Sequence, residues 1–272
     1  MRLQLFKLLF FIIIILHACS NNKNTSNKGD EKKQDTVRVL PIKGAYNVRD
    51  LGGYPTADGK RVKWRKVFRA GDLAFLTEED LNYFSSIPIT TLIDFRDSLE
   101  LKTSPARKPE SVKNVYNLPI NPDIIKFSQM KNSDEKSDSS VLIEANKFLI
   151  RNGQQTYGDF FQILMNEENA PLLFYSMSGK TRSGLAAALF LASLGVDKDT
   201  IIKDYMLSEG NENESYLDEV MKHPEFTSVF SIQQKNMRIV FEVIDAEYGG
   251  INNYLTNNLG VDLEKMKAIY TE

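Results

Sequence analysis

Pro171-Leu172-Leu173-Phe174-Tyr175-Ser176-Met177-Ser178-Gly179-Lys180-Thr181-Arg182-Ser183-Gly184 is the stretch that decides the fold. Its first five residues form an apolar run of strand length, too short for a buried helix. The polar residues Ser176 to Thr181 form a turn. From Arg182 to Leu194 the chain becomes Ala-rich and apolar, a helix that Gly195 closes. A turn between a buried strand and a helix N-terminus points successive backbone N–H groups into one concavity, and the helix dipole adds positive potential there. Gly179 supplies a backbone conformation that a side chain would obstruct. Arg182, six residues after Ser176, brings a planar guanidinium fork that matches two phosphate oxygens. Met177, Ser178, Gly179, Lys180, Thr181 and Arg182 are therefore the expected phosphate-binding residues. Gly179-Lys180-Thr181 also invites a nucleotide-loop reading, but the earlier glycine of that motif is missing, since Phe174 and Tyr175 stand where it belongs.

Outward from this stretch the signals alternate. Asp58-Gly59 between Tyr54 and Val62 predicts a hairpin. Thr77 with Glu78, Glu79 and Asp80 predicts a helix start. Thr90-Thr91-Leu92-Ile93-Asp94-Phe95 reads as a short buried strand, and Asp97 with Glu100 as the capping box of the next helix. Met237, Val240, Phe241, Ile244 and Tyr248 recur at helical spacing and read as core. Strands alternating with helices, then a helical C-terminal part, give an α/β domain with a central, mostly parallel sheet. Residues 121–140 are a polar insertion, either a surface loop or the tip of a lid over the site.

The scarce residues bound the chemistry. Among 272 residues there is one cysteine, Cys19, and two histidines, His17 and His223, and the formal net charge is −2. The domain beyond the N-terminal segment thus offers no cysteine nucleophile, no disulfide framework and no Cys/His metal cluster, and no cofactor is implied. A general nucleic-acid binder is excluded on charge. Residues 1–19 start with Arg2 and Lys7, then run apolar from Leu8 to Leu16, the pattern of a signal peptide and too short to span a bilayer. The ending Leu16-His17-Ala18-Cys19 resembles a bacterial lipoprotein signal, in which the cysteine becomes lipidated; cleavage by ordinary signal peptidase near Ala18 is the other reading. Residues 20–36 are a polar tether and residues 37–272 the globular domain. The expected location is the bacterial cell envelope, on a lipid anchor that makes the membrane a partner.

Several motifs in order carry a resemblance. Tyr175-Ser176-Met177-Ser178-Gly179-Lys180-Thr181-Arg182-Ser183-Gly184 is similar to His-Cys-x-Ala-Gly-Lys-Asp-Arg-Thr-Gly. Asn47-Val48-Arg49-Asp50-Leu51-Gly52-Gly53, Phe68-Arg69-Ala70-Gly71-Asp72-Leu73, Asp94-Phe95-Arg96 and Tyr248-Gly249-Gly250-Ile251-Asn252-Asn253-Tyr254-Leu255 stand with it. Together they resemble the bacterial atypical protein-tyrosine phosphatases, which also act on phosphoinositides. The resemblance implies a cysteine-phosphatase-like three-layer fold and a phosphorylated protein or phosphoinositide-like ligand. It also implies a cysteine thiolate at position 176 attacking phosphorus, Asp94 as the acid protonating the leaving oxygen, and Lys180 and Arg182 as clamps.

This chain departs from that pattern at the nucleophile itself. Ser176 replaces the cysteine, Tyr175 a supporting histidine and Thr181 an aspartate beside the clamp. An unassisted serine hydroxyl is hardly ionised at neutral pH. Loss of the nucleophile with retention of the cradle is the mark of a phosphate-binding pseudophosphatase; the competing readings are an active phosphomonoesterase, by a serine or water route or with cysteine as the natural residue at 176, and an envelope structural protein. Asn47, Arg49 and Asp50 either tie the N-terminal segment to the loop or touch the ligand. Asp94 is either the acid or an ion-pair partner of Arg96.

Overall fold

The computed structural model describes residues 38–121, 139–209 and 232–272. The leader with Cys19, the tether, His223 and most of the 121–140 insertion lie outside the described residues.

Five short strands build the sheet: β1 (Arg49–Asp50), β2 (Val67–Ala70), β3 (Thr91–Asp94), β4 (Asn114–Asn117) and β5 (Leu172–Tyr175), in the order β1-β2-β5-β3-β4. Among the described strands the edge pair β1–β2 is antiparallel, and β5 lies between β2 and β3 in parallel register. The apolar run 171–175 is thus central and buried on both faces, as parallel strands are. Side chains alternate across it: Leu172 and Phe174 join one apolar cluster, Leu173 and Tyr175 the other.

Helix α1 (Glu78–Ser86) places Phe84 in the cluster with Leu173. It starts at the expected Thr77 cap, with Asp80 completing a capping box. Helix α2 (Ser98–Thr103) starts at the expected Asp97–Glu100 box. Helices α3 (Ser139–Asn152), α4 (Gln154–Leu164), α5 (Arg182–Ser193), α6 (Lys198–Met206), α7 (Gln234–Tyr248) and α8 (Leu263–Tyr270) follow. Their buried side chains join the cluster with Leu172 and Phe174, so helices cover both faces of the sheet in the expected three-layer α/β arrangement. Phe160 meets Phe95 and Phe174 with ring centroids 5.6 and 5.2 Å apart, tilted and edge-on, the favoured geometry for aromatic pairs. Helix α5 is buried from Ser183 to Ser193 and ends where Gly195 takes a φ of +80°.

One buried polar network fastens α6 to the β1–β2 edge beneath the 176–182 loop. Asp204, 2 % exposed, receives Nε of Arg49 at 3.0 Å, Nη1 of Arg69 at 3.1 Å and the Tyr54 hydroxyl at 2.9 Å. Burial alone would push its carboxyl up. The two guanidiniums and their hydrogen bonds outweigh that and hold it well below the usual carboxylate range. Two buried cations share this one carboxylate, so positive potential is left under the loop.

A carboxylate lowered in the fold stabilises above its unfolded pKa, ~3.9, and that contribution fades as pH falls below it. Asp204→Asn is expected to cost about 3–5 kcal/mol in urea unfolding at pH 7, because it strands two buried guanidiniums. The same variant should lose less further stability than the parent between pH 5 and pH 3. Equal acid sensitivity in both would contradict the assignment.

Candidate phosphate-binding site

Ser176 to Thr181 leave the C-terminal end of β5 and turn into α5. Three carbonyls of this turn are fixed, one across the turn itself and two from outside it. Ser176 O accepts from Gly179 N at 3.2 Å. Met177 O accepts from Asp72 N at 3.1 Å and from the Tyr46 hydroxyl. Gly179 O accepts from Asn47 Nδ2 at 2.9 Å and from Arg69 Nη2 at 2.6 Å. In a planar trans peptide the C=O and the following N–H point opposite ways. Fixing the Met177 and Gly179 carbonyls therefore turns the amides of Ser178 and Lys180 to the other side, into the bend, where Lys180 N also reaches Ser178 Oγ at 3.3 Å. Among the described residues, the amides of Met177, Ser178, Thr181 and Arg182 have no protein acceptor. They lie together at the N-terminus of α5, where partial positive charge gathers. Gly179 has φ +65°, and a Cβ there would come within 2.6 Å of Gly71 N and 2.7 Å of Ala70 O, so the turn admits no side chain at that position.

Arg182 is held by α2. Its Nη1 and Nη2 donate to the two carboxylate oxygens of Glu100 at 2.7 and 2.6 Å, and Nη1 also reaches Phe95 O at 3.2 Å. Glu100 therefore occupies the end of the fork formed by the two Nη atoms. A guanidinium has a second two-pronged edge, Nε with Nη2. Among the described residues nothing accepts from Nε. Glu100 thus fixes the plane of the fork and leaves its side edge for an anion.

Ser176 is 1 % exposed, and its Oγ accepts from Ser183 Oγ at 2.9 Å. Lys180 and Thr181 are buried in the same turn, while Met177, Ser178 and Arg182 are half-buried. The turn therefore gathers hydroxyls, amides and two cationic side chains, with Glu100 as the carboxylate on Arg182.

The remaining expected residues divide. Asn47 and Arg49 tie: Asn47 donates to Gly179 O, and Arg49 donates to Asn47 and to Asp204. Asp50 sits farther off, accepting from Gly52 N and Arg65 N at 2.8 Å each, and burial pushes its carboxyl up. Asp94 is buried, and both its oxygens accept from Arg96, with Oδ2 2.9 Å from Nη2. An acid must present its proton to the ester oxygen; this placement instead matches the ion-pair reading. Arg96 continues to Asp72 at 2.7 Å, and Asp72 in turn holds Met177 O through its amide. Burial works against the Arg96 cation, but Asp94 and Asp72 outweigh it and raise its pKa. Tyr175, in the histidine position, lies with Arg96 5.1 Å from its ring centre, and burial followed by Asp94 raises its phenol.

Sequence reasoning missed Tyr46, Asp72 and Asp204 as supports of the loop. Arg69 and Asp72 were visible only as letters in a motif. Asp204 carried no local signal, since it lies on an ordinary amphipathic helix more than 150 positions from Arg49.

Comparison with known proteins bears on the family. A family model described as "Tyrosine phosphatase family" matches residues 40–272. The chain is similar to the triple specificity protein phosphatase PtpB of Mycobacterium tuberculosis, 26 % identical over 264 aligned positions covering 80 % of this chain and 92 % of that one. It is also similar to a tyrosine-protein phosphatase of Nostoc commune, 25 % identical over 215 positions covering 74 % of this chain and 71 % of that one. Among solved structures, TpbA of P. aeruginosa aligns over 69 % of this chain and 95 % of its own, with 15 % identity and a TM-score of 0.33. With its family model running from the first domain residues to the C-terminus, this chain belongs to the tyrosine phosphatase family.

Proposed function

We propose that the protein binds a phosphate monoester, of the phosphotyrosine or phosphoinositide kind, in the Ser176–Arg182 loop and does not turn it over by the cysteine route. The observation that carries this reading is the set of inward amides beside the side edge of Arg182. Amides preset in this way bind a dianion without reorganising, which is the most effective use of backbone dipoles. The nucleophile position supplies only a hydroxyl, Ser176, hydrogen-bonded to another hydroxyl. A cradle of this kind stabilises a thiolate; it gives a serine no base to take its proton. Asp94, spent on Arg96, is a positioning residue in this account: through Asp72 it helps hold Met177 O outward.

The envelope location belongs to the same proposal. The basic start, the short apolar run and Ala18-Cys19 support export and lipidation at Cys19, with residues 20–36 as a tether that lets the domain reach phosphorylated ligands near the membrane.

Titration calorimetry with inorganic phosphate should show binding by the parent protein. Arg182→Ala should weaken that binding by about 30-fold or more, the scale of losing one charged partner of a buried anion. Hydrolysis of p-nitrophenyl phosphate, whose leaving group departs without an acid, should be undetectable in the parent and appear in Ser176→Cys. Turnover by the parent would favour an active phosphatase instead, and unchanged binding in Arg182→Ala would remove the cradle. Full-length protein expressed with labelled palmitate should incorporate label that Cys19→Ser abolishes; label retained in Cys19→Ser would contradict the anchor.

A further inference from the structure

The run Lys60-Arg61-Val62-Lys63-Trp64-Arg65-Lys66 holds five cations in seven residues, and nothing in the phosphate chemistry above uses it. It lies at the opposite end of the sheet from the cradle. Lys66 directly precedes Val67, which pairs with Leu172, whereas the loop follows Tyr175, which pairs with Ala70 at the other end of the same parallel strands. Arg65 takes a φ of +60°, a conformation that favours glycine, and its N–H donates to the Asp50 carboxylate at 2.8 Å. Asp50 therefore builds this corner. Arg61 donates to Gly53 O at 2.9 Å and Lys63 to Ile269 O at 2.8 Å, both neutral acceptors. None of the five side chains is ion-paired to a described carboxylate. Asp58 accepts from Lys60 N, Glu272 pairs with Arg61 through the backbone, and Glu167 acts on Tyr270 behind Lys63, so the excess of positive charge is modest. Trp64, half-buried within the run, is the one tryptophan of the chain. Arg38, the first described residue, rests on it: the guanidinium carbon lies 5.0 Å from the Trp64 ring centre, and Nη1 donates to Gly52 O at 2.5 Å.

We propose that this corner is the membrane-facing end of the domain: its cations and Trp64 dock on an anionic phospholipid surface, and the cradle then points away from the bilayer, toward phosphorylated ligands in the aqueous phase. The inference rests on the lipid-anchor reading and adds an orientation to it. Residues 20–36 join Cys19 to the domain beside Trp64. A coil of that length averages about 20–25 Å end to end, less than the ~45 Å breadth of a globular domain of this size. An anchored domain therefore meets the bilayer mostly with the end its tether enters. Each lysine or arginine near anionic headgroups adds a small attraction, which salt screens. A modest excess of such charge does not hold a free protein. The anchor makes docking an intramolecular step, for which a weak surface suffices. An indole among cations suits the boundary between headgroups and acyl chains. The cradle lies beyond the far ends of β2 and β5, so a headgroup touching this corner is out of its reach.

The test uses the full chain lipidated at Cys19 and reconstituted in vesicles of phosphatidylcholine, alone or mixed with phosphatidylglycerol, with brominated acyl chains as quenchers. Trp64 reports alone, since the chain has no other tryptophan. Its emission should be quenched and blue-shifted in the anionic vesicles, recover in high salt and stay unquenched in the neutral ones. Lys60→Gln with Arg65→Gln should lower the docked-to-free ratio about 30-fold, about fivefold for each cation removed. Inorganic phosphate binding should stay as in the parent. In Trp64→Phe with Leu99→Trp the reporter moves to the exposed position beside Glu100 on α2, at the cradle end, and should stay unquenched in both kinds of vesicle. Quenching of that second reporter would overturn the orientation. Trp64 left unquenched in anionic vesicles, or quenched equally in neutral ones, would overturn the docking surface. A chain that does not float with neutral vesicles removes the anchor itself, and this inference with it.

Discussion

The structure depends on the direction of two peptide carbonyls. Met177 O and Gly179 O are each pulled outward by donors from beyond the loop, and peptide planarity then obliges the N–H groups that follow them to face inward. Much of the N-terminal polar architecture serves that constraint. Tyr46 and Asp72 hold one carbonyl. Asn47 and Arg69 hold another, and Arg69 is itself held by Asp204 from α6. The loop could not relax to a lower-energy turn without stranding buried arginines, and an unpaired buried charge is among the costliest defects a fold can carry. A site whose donors are set before the ligand arrives gives up no free energy to reorganisation.

The same constraint separates binding from chemistry. Amides and a guanidinium attract an oxyanion whatever stands at position 176. Cleavage needs in addition a nucleophile that can be ionised and an acid for the leaving oxygen. Ser176 meets only another hydroxyl, and Asp94 meets Arg96. On the proposed reading the two chemical roles are therefore unfilled, while the electrostatic role has its support beneath the loop. Glu100 belongs with that support: it takes the end of the Arg182 fork, and so decides which edge is left for an anion.

The sequence made legible what is local. An apolar run of five residues, a polar turn and an Ala-rich segment located β5, the loop and α5, and the caps at Thr77 and Asp97 started their helices where expected. Parallel pairing followed from strands alternating with helices. The rest was illegible for one reason, that it depends on partners far apart in sequence. Asp204 looks like any acidic residue of an amphipathic helix until the fold brings it onto Arg49 and Arg69. Asp94 at a strand end is equally suited to acid or ion-pair duty, and only the position of Arg96 decides. Which edge of the Arg182 fork is free could not be read from spacing at all.

The most direct test is an amide nitrogen–proton correlation spectrum of the labelled protein titrated with inorganic phosphate. The amides of Met177, Ser178, Lys180, Thr181 and Arg182 should move together, with one affinity, while those of buried β5 stay still. If the loop amides stay in place while phosphate binds elsewhere, or do not respond at millimolar phosphate, the claim that outward carbonyls have built an oxyanion cradle is wrong.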